Sequence, residues 1–189
     1  MVMHAACIIS CPCILTGVAL LLYRIATRLY SDSPDESRAY LHRAVQLLEP
    51  VLSQPDTHRS TFLCGAGGPF AIGALVYSQL GDNGKAGECV RKLLQLFTDQ
   101  KSAFAKLPSE LLYGHCGYLY ALLLVRAHLP KLVDDSLIAE VATMVLDIGE
   151  RQREAKYNSP VMYTWHGKHY LGAAHGIAGI LTLLLQVQY

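Results

Sequence analysis

This sequence has almost no net charge. Its 189 residues carry 16 Lys and Arg against 15 Asp and Glu, a formal net charge of +1, with no basic cluster. A nucleic-acid binder needs a patch of Lys and Arg to displace counterions from phosphates, so no nucleic-acid partner is expected. Alternating apolar and polar runs flanked by hairpin turns are missing as well, which removes sheet architectures and leaves an all-α reading. No Lys or Arg precedes the first apolar run, as a cleavable secretory signal requires, and position two is not the Gly that N-myristoylation needs. The six cysteines, Cys7, Cys11, Cys13, Cys64, Cys89 and Cys116, are scattered over a chain long enough for its own core. That pattern fits reduced thiols and a cytoplasmic setting. Cys11-Pro-Cys13 with Cys7 nearby has no second Cys or His pair at ligand spacing, so no residue is assigned to a metal.

What is present is apolar helix. Ala5 to Tyr23 carries no charge and is about as long as a membrane span. Pro12 in its middle and the amphipathic turn of Tyr23, Arg24, Ile25 and Arg28 argue against a spanning helix, while an uncharged start before two arginines suits a signal anchor. Beyond it the chain alternates between two kinds of helix. The first opens on glycine and is apolar nearly all round: Val18 to Tyr23, Phe70 to Tyr77, Tyr118 to Val125 and Ile180 to Leu185. Such helices are expected to be buried on every face. The second is amphipathic, with Leu41, Val45, Leu48 and Leu52, then Cys89, Leu93 and Leu96, then Val141, Val145 and Ile148 at core positions.

The glycine pairs recur about every fifty to sixty residues, so the repeating unit is a hairpin of one inner and one outer helix. One such unit cannot bury its inner helix alone, and its neighbours must pack beside it as an open solenoid or a closed ring. A G-x-x-G heading each inner helix gathers backbone N–H groups, with no side chains in the way, at one end of the layer. In Tyr170-Leu-Gly-Ala-Ala-His-Gly-Ile-Ala-Gly179 a histidine stands among residues of almost no side-chain volume. Another backbone or a ligand can come close to His175, and tight helix packing would use the same residues.

Three stretches, Thr61-Phe-Leu-Cys-Gly-Ala-Gly-Gly-Pro69, Glu110-Leu-Leu-Tyr-Gly-His-Cys-Gly117 with the apolar run after it, and Pro160-Val-Met-Tyr-Thr-Trp-His-Gly-Lys-His-Tyr-Leu-Gly-Ala-Ala-His-Gly176, stand in this order and at these intervals. In this combination the chain resembles the eukaryotic lanthionine synthetase C-like, or LanC-like, proteins. The resemblance runs from about residue 14, with residues 1–13 a divergent segment and 14–189 a truncated LanC-like domain. For fold it implies a partial α/α toroid with about four of the family's seven inner helices, so the last of them, Gly176 to Gln186, is expected to lack a covering neighbour and to leave large apolar side chains facing water. For chemistry it implies zinc-dependent addition of glutathione to dehydroalanine or dehydrobutyrine in proteins or peptides, and glutathione binding. The family's zinc ligands lie in its C-terminal half, so no zinc is expected in this chain and it is expected to be inactive alone. The competing expectation is a non-catalytic helical binding module, peripheral at the plasma membrane.

Two catalytic residues follow from the resemblance. His175 matches the histidine of the family's A-H-G motif, where it would pass a proton to the enolate formed as the thiol adds. Glu110 matches an acidic position heading another inner helix; its alternative role is a carboxylate held by the helix dipole. Gly114, Gly117, Gly172 and Gly176 are the candidate substrate-binding positions. The chain departs from the pattern at His115, where relatives usually carry Arg, and at Ile14, where the first G-x-x-G lacks its leading Gly.

Overall fold

The computed structural model describes residues 12–187. The elements in chain order are α1 (Pro12–Arg28), α2 (Pro34–Ser53), α3 (Gly67–Gln79), α4 (Asn83–Thr98), the single turn α5 (Lys101–Phe104), α6 (His115–His128), α7 (Asp135–Arg151), a 3-10 turn (Ala155–Tyr157) and α8 (Ile177–Leu184). No strand occurs among the described residues; the one extended pairing is the isolated bridge between Trp165 and Lys168. Cys7, Cys11 and the first part of the uncharged Ala5 to Tyr23 stretch lie outside the described residues.

The outer helices start where short polar side chains can take up the unpaired amides of a first turn. Asp82 accepts the Lys85 N–H at 2.9 Å ahead of α4, and Asp134 accepts the Ser136 N–H at 2.8 Å ahead of α7. At α2 the same end carries Pro34, whose missing N–H costs nothing there, followed by Asp35 and Glu36 at the positive end of the dipole. Each outer helix buries one stripe: Leu41, Ala44, Leu48 and Val51 in α2, Cys89, Val90, Leu93 and Leu96 in α4, Ile138, Val141, Ala142 and Val145 in α7. Val45, Leu52 and Ile148 are half-buried at the edge of these stripes.

α1 with α2, α3 with α4, and α6 with α7 form the hairpins, and the inner helices lie side by side in the order α1, α3, α6, α8. The two in the middle are buried on every face, as their composition predicts: every residue from Gly67 to Tyr77, and all of His115 to Val125 except half-buried Tyr120. Each large apolar side chain there contributes about 1.5–3 kcal/mol. The outermost two are covered on one side only, as a partial ring is expected to leave α8, while α1 differs from the expectation of full burial. α1 buries Thr16, Ala19, Tyr23 and Ala26 and exposes Ile14, Val18 and Leu21, while α8 buries Gly179, Ile180 and Leu183 and leaves Leu185 83% exposed. Each has an inner-helix neighbour on one side, so a fully apolar sequence does not by itself enclose a helix. No described helix is long and apolar enough to cross a membrane.

Candidate functional site

Three inner helices are entered by the same loop. The N–H after each leading glycine donates to a carbonyl seven residues back: Ala66 to Arg59 at 2.8 Å, His115 to Pro108 at 2.9 Å and Ile177 to Tyr170 at 3.0 Å. Each loop therefore folds onto its own helix, and a Cβ on Gly65, Gly114 or Gly176 would collide with that same carbonyl. The second glycines, Gly68, Gly117 and Gly179, meet the carbonyls of Phe62, Leu111 and Ala173 in the same way. Among the four substrate-binding candidates, Gly114, Gly117 and Gly176 thus admit the chain's own backbone, and Gly172 faces open space. Neighbouring loops are tied by Phe62 N–H to the Gly117 carbonyl and Leu111 N–H to the Ala174 carbonyl, both 3.1 Å.

One consequence is positional equivalence. The residue before each leading glycine is Cys64, Tyr113 or His175, and all three reach the surface at the loop end of the helices. The fourth residue before it is Thr61, Glu110 or Gly172, so a carboxylate occurs in the middle loop alone.

Glu110 and His175 meet. The Glu110 side chain is 2% exposed, and its carboxylate has three partners: Oε1 accepts the Tyr113 N–H at 2.5 Å, while Oε2 accepts the Leu112 N–H at 3.0 Å and lies 2.6 Å from His175 Nδ1. These amides belong to the turn before α6, which starts five residues later at His115. A buried carboxylate that already accepts two amide protons is an acceptor toward the ring as well, so Nδ1–H donates. That hydrogen bond leaves Nε2 as the exchangeable nitrogen of a side chain 24% exposed.

Aromatic rings surround the pair. Trp165 lies flat on the His175 imidazole, centroids 4.0 Å apart and planes within 7°. Tyr113 is nearly parallel to both at 6.2 Å, Tyr170 meets His175 edge-on at 6.0 Å, and the Arg59 guanidinium stands 5.5 Å over Tyr113. Tyr113, Trp165 and Arg59 are not among the candidate residues that the sequence offers. For Tyr113 a signal existed, since it occupies the place in its loop that His175 occupies in the next.

His115, the departure from the expected Arg, is a core residue. It is wholly buried, its Nε2 is 2.8 Å from the Phe104 carbonyl, and its Nδ1 has no partner. Burial pushes its pKa down. The thiols of Cys89 and Cys116 are buried too and are pushed up to about 11 and about 12. Among the described residues no three His, Cys, Asp or Glu side chains stand close enough to hold a metal ion, so these residues do not fit a zinc site.

The family model for lanthionine synthetase C-like protein matches residues 15–189. The chain belongs to the lanthionine synthetase C-like family. It is 34% identical over 174 residues to a protein of Danio rerio named glutathione S-transferase LANCL1, covering 90% of this chain and 42% of that relative. It is 33% identical over 143 residues to the LanC-like protein GCL1 of Arabidopsis thaliana, covering 71% of this chain and 33% of that one. The chain thus spans less than half the length of either relative. Membership agrees with the all-α array of inner and outer helices, which is part of the LanC-like α/α toroid.

Proposed function

We propose that Glu110 and His175 form the proton-transfer pair of a site that adds a thiol, glutathione, to dehydroalanine or dehydrobutyrine in proteins or peptides. The supporting observation is the contact of a buried carboxylate with Nδ1 of a partly exposed imidazole against which Tyr113 and Trp165 are stacked. The name of the Danio relative supports the thiol.

The step balances as follows. The thiolate sulfur bonds to the β-carbon, the π pair of the C=C bond moves onto the α-carbon and its carbonyl as an enolate, and the α-carbon takes the proton from Nε2–H of the His175 imidazolium. Neutral imidazole remains, keeps its Nδ1–H on Glu110, and is reprotonated from solvent by the proton that the thiol gave up on ionising. Glu110 fixes the tautomer and the ring direction, and the aromatic wall keeps water off one face. None of the described residues is given a part in deprotonating the thiol, and the cytoplasmic setting belongs to the same proposal.

The test separates proton transfer from thiol activation by supplying an aryl thiol such as thiophenol, largely ionised near neutral pH. With a dehydroalanine peptide, the chain accelerates addition, and His175→Asn lowers the catalysed rate about 10²- to 10⁴-fold while leaving helix content unchanged. Equal rates per folded molecule for the two proteins would refute the role of His175.

A further inference from the structure

Trp165 belongs to a tightly specified two-residue hairpin. Its N–H donates to the Lys168 carbonyl at 3.0 Å and its carbonyl accepts the Lys168 N–H at 3.1 Å. The two corner residues, His166 and Gly167, both have positive φ, 49° and 70°. Positive φ at both corners is the type I′ arrangement, for which the second residue is usually Gly and the first Asn, Asp or Gly. A histidine at the first corner is an uncommon choice, and backbone conformations of this kind persist where the surroundings hold them.

The surroundings do hold it. On the C-terminal side, His169 has an oxygen at each ring nitrogen, the Tyr163 carbonyl at 3.1 Å from Nδ1 and Glu154 Oε1 at 2.5 Å from Nε2. Lys156 braces the same Glu154 at 2.9 Å. On the N-terminal side, Gln152 Oε1 accepts both the N–H and the hydroxyl of Thr164, at 2.8 and 3.1 Å. All this fixes a segment whose tip, His166 to Lys168, is exposed and adds nothing to the core. What the hairpin does bring inward is the indole of Trp165, laid on His175.

A single hydrogen bond from Nδ1 to Glu110 sets one direction in the imidazole plane and leaves the ring free to turn about that bond. A flat partner at 4.0 Å and 7° removes that freedom. We propose that Trp165 is a positioning residue for His175: the hairpin holds the indole as a wall that fixes the tilt of the imidazole and aims Nε2 at the reacting carbon. This rests on the proton-transfer reading of His175.

The experiment uses the whole chain with thiophenol and the dehydroalanine peptide, and it follows the His175 ring-proton NMR signal in each protein. In the wild type that signal is displaced upfield by the ring current of the stacked indole. Trp165→Ala is expected to return it to the position of an unstacked histidine and to lower kcat about 10²-fold with KM nearly unchanged, the scale of a misplaced catalytic group. Trp165→Phe, which keeps a flat ring, is expected to recover most of both. Should Trp165→Ala fail to fold, Gly167→Ala keeps the indole but strains the turn that places it, and it is expected to shift the signal and lower kcat in the same direction. A folded Trp165→Ala protein with the wild-type kcat, or a His175 signal that moves in neither variant, overturns the proposal. If His175→Asn itself leaves the rate unchanged, the proton-transfer reading fails and the positioning role with it, while the NMR shift reports separately whether the two rings are stacked.

Discussion

Glu110 Oε2 and His175 Nδ1 stand 2.6 Å apart although 65 residues separate them in the chain. The two loops that carry them, one before α6 and one before α8, are joined by the Leu111 N–H to the Ala174 carbonyl at 3.1 Å. The pair is thus held by the same backbone lattice that orders the inner helices. Disturbing the chemistry and disturbing the fold can be told apart by where the change is made.

Replacing Glu110 with Gln changes the hydrogen bonding and very little of the volume. The amide can accept one of the two turn N–H groups, but its NH2 then faces a donor. With three hydrogen bonds to a buried charged group affected, a loss of about 1.5–3 kcal/mol is expected. If the NH2 faces His175, Nδ1 becomes the acceptor and the proton moves to Nε2. Thermal melts and thiophenol addition measured together test this, and the rate should fall by more than the loss of folded protein explains. A lower melting temperature with an unchanged rate per folded molecule would make Glu110 structural.

Glycines that look alike in the sequence should differ sharply on substitution. Gly114→Ala and Gly176→Ala place a methyl group on the backbone carbonyls of Pro108 and Tyr170, which cannot move without opening the loop, and each should cost about 3 kcal/mol or more. Gly87→Ala, inside α4 with nothing within 4 Å, should stabilise by about 0.5–1 kcal/mol. Denaturant midpoints for the three variants check the contrast.

His115 should make stability depend on pH in one direction. Burial lowers its pKa below the ordinary 6.5, so between that lowered value and 6.5 the unfolded chain binds a proton that the native chain does not. Its stabilising contribution is fully present above pH 6.5 and is lost as pH falls through that window, with a slope of at most about 1.4 kcal/mol per pH unit. Urea unfolding from pH 7.5 to 5 should show this slope in the wild type, and it should be smaller in His115→Gln. Equal slopes would mean that His115 takes up its proton in the folded state.

Cys89 and Cys116 should be silent toward a thiol reagent in the native protein, because burial holds them up to about 11 and about 12. Both should react once the chain is unfolded in urea. Their rates at increasing urea should follow the unfolding curve, and native-state reaction at either position would contradict the packing around α4 or α6.

Much of the site was legible because its residues are constrained locally. A backbone carbonyl pressed against a Cα admits glycine and little else, so the G-x-x-G pairs marked the starts of α3, α6 and α8. His175 and Glu110 stood out in the family pattern, each in its own loop. Their contact did not, because it depends on how two loops dock across 65 residues. The Trp165 stack was hidden for another reason: a His-Gly corner is a weak hairpin signal, and only the fold shows what the turn carries. The exposed side of α8 was expected of a partial ring, whose last inner helix lacks a further neighbour; that of α1 escaped, since its composition matches that of the enclosed helices and only its neighbours are fewer.

If Glu110 and His175 act as one proton-transfer unit, a double-mutant cycle on the thiophenol reaction will show it. His175→Asn should lose about 10²- to 10⁴-fold in kcat, and adding Glu110→Gln to it should lower kcat by no more than about twofold further, because a carboxylate that works through the ring has nothing left to orient. Losses that multiply, or a His175→Asn protein as fast as the wild type, would mean that the two side chains do not act as one unit.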